Sequence, residues 1–409
     1  MKSGMLLVRA IAGLLLAFAL APPVRAEPLT RPEAYARAAA LHDLGKRLFF
    51  DSSLSASGKM ACATCHDPKH GFGPANALDV QLGGKDMRQP GLRATPSLTY
   101  IQAVPQFTAH YYESDDEGDA SVDNGPTGGL TWDGRVDRKR DQAAVPLLSD
   151  YEMANKKLAD VVARVRQGPY ADDLRKIYGP QVFDNDAKAF AAITEALDVY
   201  QQDNRLFYPY SSKYDAYLAG RATLTPQEAR GLELFNDPGK GNCGNCHRSS
   251  PGDDGTPPQF TDYGLIALGL PRNRNIPANA DPKYFDLGAC GPLRTDLAGQ
   301  AEYCGLFRTP SLRNVALRKT FYHNGSEHDL HKAIEFYVER DTAPEKWYPR
   351  DAAGRVMKFD DLPQQYRANI NSEPPFGGKP GDKPALSSRD VDDIVAFLKT
   401  LTDGYMSAP

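Results

Sequence analysis

The pentapeptide Cys62-Ala63-Thr64-Cys65-His66 recurs in type as Cys243-Gly244-Asn245-Cys246-His247. Two thiols at this spacing can add to the two vinyl groups of one haem, and the adjacent imidazole then lies under the porphyrin as an axial ligand to the iron. A zinc ribbon would need its C-x-x-C pairs ~15–20 residues apart, and a thioredoxin-type dithiol needs no following histidine and only one copy. The duplication therefore predicts two covalently bound haems c, with His66 and His247 as iron ligands. Cys290 and Cys304 complete the six cysteines. An oxidising compartment favours their pairing, with two buried free thiols as the alternative.

Residues 1–26 point to that compartment. They carry Lys2 and Arg9, an apolar run from Ile11 to Leu20, and the small-residue site Val24-Arg25-Ala26, which is the pattern of a signal peptide cut after Ala26. The run is about half the ~20 residues a membrane span needs, and no later segment is longer. A periplasmic protein with no membrane span is expected. A formal net charge of −4 and the lack of a basic block exclude nucleic acid as a partner.

Two haems need two sets of helices to hold them. The roughly 380 residues beyond the signal peptide suit two domains, expected at 27–220 and 221–409 with the linker near residue 220. Leu41, Leu44 and Leu48 recur at helical spacing before the first pentapeptide, and a second apolar helix is read in FAAITEALDVYQQD. In the second half Thr225-Pro226-Gln227-Glu228 forms a capping box. Ser387 and Ser388 precede a stripe of Val391, Ile394, Val395, Leu398 and Leu401. Strand signals are sparse, so the expected fold is mainly α: two c-type cytochrome domains with long loops, one haem c each.

Further motifs follow in order: LGKRLFFDSSLS from Leu44, W-D-G-R from Trp132, Q-A-A-x-P-L from Gln142, Glu152-Met153, and FRTPSLRNVALRKTFYHNG from Phe307. Together with both haem motifs they resemble the bacterial dihaem cytochrome c peroxidase superfamily over nearly all of the chain beyond residue 26. Conventional members have a removable distal histidine about sixteen residues beyond the first haem histidine. They also have an axial methionine fourteen residues beyond the histidine of the F-Y-H-N-G motif. Here those positions are Leu82 and, counted from His323, Tyr337. His70 is too near His66 in sequence to reach the opposite face, so the first haem is expected to be open.

A thioether raises the haem potential, whereas an anionic phenolate favours ferric and higher states. Tyr337 thus implies the MauG/MbnH-like branch, which shares the two oxidising equivalents of one peroxide between its haems in a bis-Fe(IV)-type state and oxidises residues of a partner protein. The alternative for Tyr337 is an ordinary helix aromatic beside Phe336. The resemblance also implies roles for other residues. Glu152 is the acid/base moving a proton between the oxygens of peroxide, Gln142 bonds the distal ligand, Pro146 walls the pocket, and Trp132 relays electrons between the haems. Arg308 and Arg313 are candidate partners of haem propionates, or else surface charges.

Two departures qualify the resemblance. MauG has an electron-passing tryptophan two residues before its second haem motif, and that position is Gly241. The exit is then the haem edge, a tyrosine or Trp347. The family's interdomain calcium maps to the carbonyls of Arg318 and Thr320, but its asparagine ligand falls at Ala94, so a Ca²⁺ site with a weak side-chain shell is expected. Residues 110–129 are acidic and Gly-rich and read as an inserted loop that is solvated, a partner surface or a cation site.

The expected function is a periplasmic dihaem oxidoreductase that uses hydrogen peroxide to oxidise Trp or Tyr in a co-encoded exported protein. The alternative is a conventional cytochrome c peroxidase reducing hydrogen peroxide with electrons from small c-type cytochromes or cupredoxins. A plain electron carrier is the third class, and an open first haem beside Glu152 and Gln142 argues against it.

Overall fold

Thr30 and Glu33 cap each other at the start of α1 (Arg31–Phe49), with Thr30 N–H donating to the Glu33 carboxylate at 2.8 Å. Asn185 accepts from the Lys188 N–H and opens α2 (Asp186–Tyr200). The expected box at Thr225 and Glu228 opens α3 (Pro226–Asn236). Asp329 and Ser387 cap α4 (Leu330–Glu339) and α5 (Ser388–Lys399) in the same way. The computed structural model describes residues 29–112 and 121–406. The expected signal peptide and the acidic centre of the 110–129 loop lie outside the described residues.

The chain uses one arrangement twice. Gly45 of α1 lies against α2 so closely that a Cβ there would sit 1.8 Å from the Ala196 carbonyl oxygen. Gly231 of α3 meets α5 in the same way, 2.0 Å from the Asp393 carbonyl oxygen. Four residues after each glycine a phenylalanine turns inward. Phe49 packs on Tyr200 at 5.3 Å and on Phe72 at 6.0 Å, and Phe235 packs on Phe397 at 5.3 Å and on Phe260 at 6.4 Å. Burying each such side chain contributes about 1.5–3 kcal/mol.

One core runs from Leu41 to Phe207 and a second from Tyr214 to Leu401. The short Lys213–Leu218 helix, in the stretch read as linker, places Tyr214 in the second core, so the packing changes over slightly before residue 220. The predicted stripe of α5 is buried at Val391, Ile394, Leu398 and Leu401. Val395 stays half-buried because Phe397 takes the interior position.

The middle of the first half packs elsewhere. Phe107 and Ala109 join Leu265, Ala267 and the Cys290–Cys304 disulfide in a third cluster. Buried Arg93 donates to Asp286 at 2.6 and 2.7 Å and to Asp133 at 2.7 Å, tying residues 93 and 133 to the second half. Extended structure among the described residues is limited to two-residue antiparallel pairs, Leu82–Gly83 with Gln89–Pro90 and Leu265–Ile266 with Phe307–Arg308. The fold is mainly α with long loops, and no described helix is long and apolar enough to cross a membrane.

The glycine crossings yield a stability test. Gly45→Ala and Gly231→Ala should each cost at least about 1–3 kcal/mol, because backbone rather than a flexible side chain blocks the new methyl. Calorimetry of the haem-loaded protein should show a lowered Tm for both. Gly239→Ala, whose nearest neighbour is the Asp237 side chain at 3.3 Å, should leave Tm unchanged.

Candidate functional site

A single helical turn, Cys62–Cys65, carries the first pair of thiols, and His66 follows it directly. The His66 Nδ1 is 2.9 Å from the Phe72 carbonyl, and the His247 Nδ1 is 2.9 Å from the Phe260 carbonyl. A carbonyl can only accept, so Nδ1 holds the proton in both rings and Nε2 keeps its lone pair for iron. Burial pushes the His66 imidazole down to about 4 and lowers His247 as well. Each ring is therefore a neutral ligand.

Both accepting residues are strained. Phe72 and Phe260 have φ of 51° and 53°, a left-handed conformation that costs a bulky residue roughly 1–3 kcal/mol. A matching pair of serines secures them. Ser97 Oγ donates to the Gly71 carbonyl at 2.5 Å and Ser311 Oγ to the Gln259 carbonyl at 2.7 Å, one residue before each phenylalanine. The sequence reading missed these residues, although the repeat of Thr95-Pro96-Ser97-Leu98 at Thr309-Pro310-Ser311-Leu312 was a visible signal.

Burial raises the pKa of Cys62 and Cys65, and the charge of nearby Glu152 adds to the rise. Burial pushes its own carboxyl up to about 7, opposed by Arg135. Its backbone is fixed by Gly84 N–H, which donates to the Glu152 carbonyl at 2.8 Å. Gly83 packs so tightly that a Cβ would lie 2.2 Å from the Tyr151 carbonyl oxygen. Leu82, at the distal-histidine position, is 44% exposed. Pro146 accepts from Met153 N–H at 3.1 Å, which joins its helix to the Glu152 turn, and half-buried Gln142 lies one turn earlier.

The second pair of thiols lines a large cavity with His247, Tyr337, Trp132, Arg308 and Arg318. Trp132 Nε1 donates to the Ala94 carbonyl at 2.7 Å, and its ring lies 6.4 Å from His323, which stacks on Phe307 at 3.4 Å. Burial lowers Arg308 and Arg318 to about 10 without an acidic group to offset it. The Tyr263 hydroxyl is buried with no partner. Two uncompensated guanidiniums and an orphaned hydroxyl fit a group bearing carboxylates, as haem does. Tyr263 was not read from the sequence, and Arg318 was read only for its backbone carbonyl.

Two expectations change. Arg313 is not a surface charge: it is 3% exposed and bonded to Asp215 at 2.8 and 3.0 Å and to the Pro258 carbonyl at 2.8 Å. Arg318, Thr320 and Ala94 do meet in one cleft, but no Asp or Glu lines it. The Arg318 guanidinium donates to the Thr320 carbonyl and to the Thr95 carbonyl, both at 3.2 Å. A fixed cation and no anionic oxygen do not fit a calcium ion, which takes 6–8 oxygen ligands.

Two ligand-ready imidazoles, each beside a thiol pair, suit a c-type protein with two haems. Comparison with known proteins is specific. A family described as di-haem cytochrome c peroxidase matches residues 39–223. The chain is 33% identical over 373 residues to the methylamine utilization protein MauG of Paracoccus denitrificans, covering 89% of each. It is 27% identical over 363 residues to the cytochrome c551 peroxidase of Nitrosomonas europaea, covering 88% of this chain and 79% of that protein. The structure of the diheme peroxidase BthA from Burkholderia thailandensis matches with a TM-score of 0.77 at 39% identity, over 89% of this chain and 86% of that one. This chain belongs to the di-haem cytochrome c peroxidase family. It is an oxidoreductase of peroxidase type, and the family implies two haems c.

The acid/base role expected of Glu152 implies a pH dependence. As a base it must be ionised to take a proton from peroxide, so the rate should rise with pH through about 7 and then level off. Glu152→Gln should lose that inflection and react ~10²–10⁴-fold more slowly while keeping both haems. Stopped-flow spectra across pH test both outcomes.

Proposed function

We propose that the chain is a periplasmic oxidoreductase that uses hydrogen peroxide to oxidise Trp or Tyr residues of a co-encoded exported protein. Tyr337 carries this reading. Its ring stands in the wall of the cavity that contains Cys243, Cys246 and His247, stacked on Phe376 at 5.4 Å. Burial and the nearby thiols raise its pKa, so an unligated hydroxyl stays protonated. Ferric iron would supply the positive charge that makes the phenolate favourable, and an anionic oxygen donor suits the higher oxidation states that peroxide generates.

The protein's own groups divide the remaining tasks. Glu152 takes the proton from the near oxygen of peroxide and returns it to the far one. Gln142 orients the bound oxygen, Pro146 narrows access, and Trp132 passes electrons between the two halves. Residues 27 to about 210 form the peroxide-reacting domain and the rest forms the electron-transfer domain, a division supported by the two cores.

Two measurements test this. The exposed Leu82 offers no distal ligand, so the ferric protein should react with peroxide without prior reduction. A six-coordinate first haem that reacts only after one-electron reduction would reverse that. Tyr337→Phe should leave the second haem attached, alter its optical and EPR spectra, and abolish partner modification while peroxide is still consumed. An unchanged second-haem spectrum, with peroxide reduced by a small c-type cytochrome, would make the chain a conventional peroxidase.

A further inference from the structure

The second haem motif lacks the side chain through which an electron could enter from outside. A Cβ at Gly241 would lie 2.7 Å from the Leu234 carbonyl oxygen and 3.2 Å from Cys243 Sγ, so backbone fills the space where a ring would stand. Another route must connect this cavity to the surface.

We propose that Trp347 provides that route: oxidising equivalents leave the second haem through its indole, and the partner's oxidisable residue must come up against it. This rests on the reading of Tyr337 given above. From Tyr337 the rings run outward through Phe336, at 6.3 Å, to Trp347, 5.4 Å further and edge-on at 87°. Trp347 is half-buried, and the neighbouring Glu345 and Lys346 are exposed, so the path reaches solvent in two ring contacts.

The chemistry of the indole suits a relay. Its Nε1–H is buried with no hydrogen-bond partner, so no acceptor is in place to take the proton when an electron leaves. Oxidation of Trp347 then transfers one electron inward and no proton, and an electron from the partner's aromatic residue restores it. Two such passes match the two electrons that one hydrogen peroxide accepts in becoming two waters. Tyr322, the other aromatic between Tyr337 and Phe336, is a poor relay. Its hydroxyl donates to the Ala333 carbonyl at 2.7 Å, which cannot accept the proton an oxidised phenol must lose, and burial raises its pKa well above the usual value.

The haem-loaded protein, treated with hydrogen peroxide in the absence of a partner, provides the test. Peptide mapping should find added oxygen on Trp347. The adduct should vanish in Glu152→Gln, which excludes direct attack by peroxide. Trp347→Phe should keep both haem spectra yet hold its oxidised state longer than wild type, and Trp347→Tyr should not shorten it, because no acceptor stands there for the phenol proton. An unmodified Trp347 in the wild-type protein, or wild-type decay in Trp347→Phe, overturns the proposal. The reading of Tyr337 fails separately, by an unchanged second-haem spectrum in Tyr337→Phe.

Discussion

One hydrogen bond, made twice, organises the molecule: the Nδ1–H of each haem-motif histidine donates to the carbonyl of a phenylalanine held at positive φ. It fixes the tautomer, and so decides which nitrogen can bind iron. The bond needs a carbonyl in an unfavourable place, and that place exists because the phenylalanine ring is gripped by its helix pair. The grip in turn needs helices that cross at contact distance, which is why a glycine sits at each crossing. Local strain of roughly 1–3 kcal/mol is offset by burial of Phe72 and Phe260, each worth about as much.

A second constraint is charge. The fold neutralises most of its interior cations locally: Arg93 meets two aspartates and Arg313 meets Asp215. Arg308 and Arg318 break that habit: their hydrogen bonds go to carbonyls and no described carboxylate pairs with either. A buried, unpaired guanidinium costs several kcal/mol, so these two are tolerable only if an anion completes the cavity. The same reasoning separates Arg313 from Arg308, although both were equivalent as arginines in one run of sequence.

Much of this was legible in the sequence because it is local. The haem pentapeptides, the capping box at Thr225, the apolar stripes of α1 and α5 and the pairing of Cys290 with Cys304 all depend on spacing or on elimination. What escaped depends on distant contacts. Nothing around Phe107 and Ala109 is periodic, so their packing on the disulfide cluster could not be read. The Arg318 side chain lies 3.2 Å from the carbonyl of its near neighbour Thr320, and no spacing rule distinguishes that from a free carbonyl awaiting calcium. The Gly-x-x-x-Phe pattern at Gly45 and Gly231 was visible, but only the two helix crossings give it meaning.

The two halves share a scaffold and differ in what is placed opposite the histidine, and the difference has a local cause. In the first half the chain beyond the motif folds into a two-residue hairpin. Gly83 and Gly84 press that hairpin onto the backbone of Tyr151 and Glu152, which turns Leu82 outward. The same contacts that remove a ligand from this face fix a carboxyl there, one held neutral up to about 7 by burial. In the second half the corresponding space is walled by α4, a helix whose buried residues Ala333, Phe336 and Val338 hold it in place, so its neighbour Tyr337 has little freedom to withdraw. An exposed Leu82 beside a buried carboxyl in one half and a Tyr337 held in the cavity wall in the other are therefore outcomes of packing. Changing the role of either half would require moving backbone as well as exchanging a side chain.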